Sequence, residues 1–157
     1  ITFYKTIQNK FHYAITGNTA AEIVYKRVDS KKENMGLTTW ENSPDGKILK
    51  SDVIIAKNYL NEQEIKNLNN LVNLFLDIAE NNAERSITMY MEDWKNEVEN
   101  ALKVFRYEVL EGKGKISHKQ AVEKAENEYE KYKVIQDKNY VSDFDRLLSE
   151  TKQIENK

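Results

Sequence analysis

The sequence predicts an all-α fold, on three observations. Helix breakers are scarce, with one Pro and five Gly in 157 residues. Apolar residues recur three and four positions apart along most of the chain. Three capping-box signatures, Thr19 with Glu22, Asn61 with Glu64 and Ser117 with Gln120, mark helix starts. Together they give a single compact bundle of six or seven helices over residues 1–148, followed by a polar tail at 149–157 that frays.

The elements follow in order. Phe3, Ile7, Phe11, Ala14 and Ile15 trace a first helix that Gly17 stops. Thr19 caps a second, with Ala20, Ile23, Val24 and Val28 on its apolar face. Residues 30–50 break the periodicity and contain the turn triplet Pro44-Asp45-Gly46. They read either as one long ordered loop or as a short β-hairpin closing the end of the bundle, with Met35, Leu37 and Trp40 packing down. Ser51 and Asp52 open a short helix through Leu60. Asn61 starts a long one whose seam (Ile65, Leu68, Val72, Phe75, Ala79, Ala83) is widened by Leu71, Leu74 and Ile78, which predicts a place through the middle of the core. Trp94, Val98, Leu102, Phe105 and Val109 mark a further helix. The helix from His118 to about Asn139 has a thin apolar face (Ala121, Ala125, Tyr129, Tyr132, Ile135) and a solvated Glu/Lys side. Tyr140, Phe144 and Leu147 add a last short one.

Composition narrows the function classes. At 39% hydrophobic and 32% charged the chain is neither disordered nor membrane-embedded, and no apolar run approaches the roughly 20 residues of a spanning helix. The absence of Cys removes disulfides, thiolate catalysis and zinc-cysteine sites, and fits a cytoplasmic setting. Residues 1–60 carry nine cations against six carboxylates, and residues 61–157 carry 15 against 20. That imbalance is too small for a nucleic-acid footprint. The chain opens on Ile rather than Met, which reads as a piece of a longer chain.

Motifs with known chemistry are missing. Gly112-Lys113-Gly114-Lys115 lacks the spacing and hydroxyl of a phosphate-binding loop. The two histidines, His12 and His118, are too far apart for a helical zinc pair. Neither has the preceding Arg of helical RNases, and the loop of AMP-transferring Fic enzymes is absent. Asp143 and Asp145 diverge if helical. No motif calls for a metal or a cofactor.

What remains is a polar cluster on the first two helices. Gln8 and His12 lie four apart and share a face continued by Lys5 and Thr16, with Asn9 beside it and Lys10 further round. His12 suits a general base or acid near neutral pH, tied to Gln8, Asn9 and Lys10. Arg27 falls one turn before the irregular loop, Lys50 follows it, and both would border the same cleft and attract an anion. Trp40 anchors the loop or stacks on a base. Against this stands ordinary structure: a buried, bonded His12 and plain ion pairs for Arg27 and Lys50.

The segments Phe3–Tyr25, Asn34–Trp40, Lys50–Leu60 and Ser142–Arg146 resemble the RhuM family of bacterial virulence-associated proteins. The resemblance spans residues 3 to about 146, with one departure at Tyr90, where relatives tend to place a capping residue. It implies that this region is a C-terminal half, preceded by a separate DNA-binding-like domain that this sequence lacks, in proteins linked to virulence and mobile elements, and it brings no catalytic residues. Three functions fit: an effector or interaction module binding an anionic ligand, nucleic acid or protein through the polar cleft; a metal-independent nuclease or nucleotide-handling enzyme using His12; or a structural dimerisation domain. The implied partners are a homo-oligomer and, through the upstream half, nucleic acid, with no membrane.

Overall fold

The computed structural model describes residues 2–141 and 147–148, and the described residues are helical with no strand. Among the described residues there are five α-helices, fewer than the six or seven expected: α1 (Thr2–Thr16), α2 (Ala20–Arg27), α3 (Glu62–Glu84), α4 (Met91–Val104) and α5 (His118–Asn139). The capping boxes at Thr19, Asn61 and Ser117 form as the sequence predicts, each carboxylate or amide at N3 reaching back to the cap N–H. At Tyr90 the N–H donates to Asp93 Oδ2 at 2.8 Å, and this fixes the start of α4. Gly17, at φ +68°, ends α1.

Two expectations change. The helix expected from Ser51 to Leu60 is a pair of 3₁₀ turns, Asp52–Ile54 and Ala56–Tyr59, separated by an extended Ile55 (φ −94°, ψ 110°). A β-branched run, Val53-Ile54-Ile55, resists the helix. The Asp52 carboxylate also accepts the loop N–H groups of Glu41 and Leu49 instead of capping one. The helix expected to reach Val109 stops at Val104, because Arg106 turns left-handed (φ +61°) and the Tyr107 N–H returns to the Leu102 carbonyl. The last short helix and the polar tail fall at or beyond 142–146 and 149–157, largely outside the described residues.

The segment at 30–50 is an ordered loop rather than a hairpin. Asn34, Met35 and Gly36 all have positive φ, and this left-handed turn drives Met35 fully into the interior. Gly36 is required twice over: its φ is +83°, and a Cβ there would stand 2.5 Å from the Arg27 carbonyl oxygen. The Trp40 Nε1–H donates to the Gly46 carbonyl at 2.7 Å and closes the rest of the loop.

The helices enclose two cores. One packs α2 and the loop against α5, through Ile23, Val24, Val28, Met35, Ile48, Tyr59, Leu60, Ala121, Ala125 and Tyr129. The alanines of α5 let α2 approach closely. The other packs α1, α3 and α4 through Ile7, Phe11, Leu71, Val98 and Leu102. Ile15 and Leu68 are half-buried and touch both. Instead of running through the middle of one core, α3 buries only Leu71 fully and leaves Val72 and Leu76 exposed.

Candidate functional site

The polar residues of α1 disperse to different neighbours. Asn9 Oδ1 accepts the Ala20 N–H at 3.1 Å, a long-range cap on α2. Lys10 is buried, donates to the Leu110 carbonyl at 3.1 Å and pairs with Glu99 at 2.9 Å. The Lys10 ammonium holds the Glu99 carboxyl below the usual carboxylate range. Thr16 Oγ1 donates to the His12 carbonyl at 2.7 Å, within the last turn of α1. His12 is 3% exposed and its Nδ1 has no hydrogen-bond partner. Burial pushes its pKa down, so the imidazole is held neutral.

The cations expected at the same cleft are also engaged. Arg27 makes a fork with both Glu64 oxygens at 2.6 Å and donates to the Tyr59 carbonyl at 2.7 Å, joining α2 to the N-terminus of α3. That bonding holds Glu64 below, and Arg27 above, their ordinary values. Lys50 pairs with Glu126 of α5 at 3.2 Å on the surface. Trp40 is bound within its own loop. These side chains face α2, α4, α3 and α5 in turn, so among the described residues they do not converge on one hollow.

A different recess lies on the second core. Phe3, Tyr4, Ile7, Gln8 and Phe11 of α1, Phe75 and Ala79 of α3, and Met91 and Trp94 of α4 line a groove of about 470 Å³. Phe11, Phe75 and Trp94 form its aromatic floor, stacked edge to face with centroids 6.2 and 5.3 Å apart. Gln8 is the one predicted site residue in it. Tyr4 (70% exposed) and Met91 (58%) stand at its rim. The sequence carried a signal for this groove: the apolar seam of α3 is wider than one packed face needs, and its outer edge stays uncovered.

The loop at 111–115 is tied down by Glu22, which the sequence predicts only as the capping partner of Thr19. Glu22 is buried and accepts the Thr19 N–H at 2.8 Å and the Lys115 N–H at 2.7 Å. Burial pushes this carboxyl up, but those bonds, with Lys26 nearby, outweigh it and hold it below the usual range. Among the described residues no group of three acidic or histidine side chains is placed to hold a metal, and no helix is long and apolar enough to cross a membrane.

The family model described as virulence protein RhuM family matches residues 1–141. No curated protein and no solved structure matches the chain.

Proposed function

The chain belongs to the virulence protein RhuM family, and from that premise we propose that it acts as a protein-interaction module of a virulence-associated protein, making its contact through the groove of α1, α3 and α4. One observation carries this reading. Most of the polar groups expected to meet a ligand are bonded to other parts of the fold, whereas an aromatic-floored apolar recess, with Gln8 at its edge, stands open to solvent. Exposed contiguous apolar surface on a folded domain marks a contact site. Proton transfer by His12 is no part of the proposal, since a general base must reach its substrate and this side chain is enclosed. Binding of an anion or nucleic acid through Arg27 and Lys50 is likewise not favoured, because each already faces a carboxylate. The DNA-binding-like half implied by the resemblance would lie upstream, with this unit as its effector arm.

The test compares two variants for the cellular virulence phenotype, with melting measured alongside. Ala79→Trp fills the groove and is expected to abolish the phenotype at unchanged melting. Lys50→Ala is expected to leave it intact. The reverse pattern would return the site to the polar face and end the groove reading.

A further inference from the structure

The groove continues into a wider apolar surface. Val72, Leu76 and Ala83 stand on α3 at the helical positions adjoining Phe75 and Ala79, and all three are exposed, Leu76 by 56%. The recess is therefore an open trough rather than a closed pocket. A small apolar ligand would be left largely in water, whereas such ligands need most of their surface covered.

The α3 and α4 side of the trough is predominantly acidic, while Lys5 stands exposed on the α1 side. Between Leu76 and Glu97, the stretch holding the end of α3 and the start of α4, there are six carboxylates and two cations. Glu92 is paired with Lys95 at 3.5 Å on the surface, and Asp93 is occupied by the Tyr90 N–H. Asp77, Glu80 and Glu84 are exposed, with no cation bonded to them among the described residues.

We infer that the trough receives a cationic amphipathic α-helix from a partner protein. The inference rests on the groove being the contact surface and adds the chemistry of what it contacts. Large apolar side chains spaced along one face of a helix would enter between Tyr4, Phe75 and Trp94, and Lys or Arg on its flanks would meet Glu80 and Glu84. Charge argues against the other occupants. A two-fold contact that laid α3 of one copy on α3 of another would set acidic residues against acidic ones, which is repulsive. Nucleic acid and anionic lipid are repelled in the same way.

The probe is a dye-labelled helical peptide of about 18 residues, long enough to hold a helix once bound, built from Leu and Lys. A second peptide keeps every Leu and replaces Lys with Glu. Anisotropy is expected to show the Leu/Lys peptide binding at least about tenfold tighter, with affinity falling as salt rises. Ala79→Trp should weaken it about tenfold, and Leu76→Ser, a change at an exposed position, should weaken it in the same direction. The pair Glu80→Lys and Glu84→Lys should shift preference towards the Leu/Glu peptide. If the Leu/Glu peptide binds the unaltered protein equally well or better, the charge assignment is wrong while the groove remains a contact surface. If neither peptide binds, or if the groove variants leave binding unchanged, no helix docks there. Dimers in sedimentation that Leu76→Ser dissolves would assign the trough to a second copy and overturn the proposal.

Discussion

His12 is a titratable side chain held away from water. It lies inside α1's packed face with an unpartnered Nδ1, and burial lowers its pKa. An imidazole of this kind takes up its proton in the unfolded chain first. Stability is therefore full above pH 6.5, declines as pH falls through that value, and levels off below the lowered folded one. Glu22, Glu64 and Glu99 are held below the ordinary carboxylate value and titrate in a separate, more acidic window. His12→Leu is expected to remove the loss between about pH 7.5 and 5.5, and to raise the melting temperature at the lower pH by on the order of a few degrees. Thermal melts at both pH values check it, and an unchanged slope in the variant would show that His12 is not the titrating group. The same residue shows why sequence misplaces a site. Its spacing from Gln8 and Thr16 is visible in one dimension, but whether a neighbouring helix covers that face is not.

At the scale of elements, the caps carry most of the local specificity. Glu22 joins the start of α2 to the loop before α5 by accepting two N–H groups from opposite ends of the chain. Glu22→Gln keeps one acceptor but turns an NH₂ towards a backbone donor, leaving a buried N–H unmet at a cost of about 1–3 kcal/mol. Urea denaturation should record that loss above pH 5, with the difference narrowing on acidification as the native carboxylate is protonated. A variant as stable as the parent would mean that the loop is held some other way. The capping box at Thr19 was legible, because its donors and acceptors lie three residues apart. The Lys115 bond was not, since nothing local connects position 22 with 115. Likewise Asn34-Met35-Gly36 reads as a loop in sequence, and only the structure shows the positive φ and the close approach of Arg27's carbonyl that make Gly36 necessary.

For the whole molecule, the important fact is that two cores share a seam. Ile15 and Leu68 touch both, so each core is braced by the other through the same two side chains. Ile15→Ala and Leu68→Ala should each cost about 1–2 kcal/mol, less than a fully buried truncation, because both sites are half-open. The double variant should depart from additivity by more than about 0.5 kcal/mol. Strict additivity, or two separate unfolding transitions, would mean that the cores fold independently. The sequence by itself determined the helical class, three of the helix starts and the family, since periodicity, caps and ordered motifs are local properties of the chain. Only the tertiary structure decided that the polar cluster would be divided among four neighbours, that α3 would be covered on one side alone, and that Phe11, Phe75 and Trp94 would meet. The physical reason is burial: which face of a helix is desolvated depends on elements distant in sequence, and the meaning of Lys10, His12 and Arg27 changes with it.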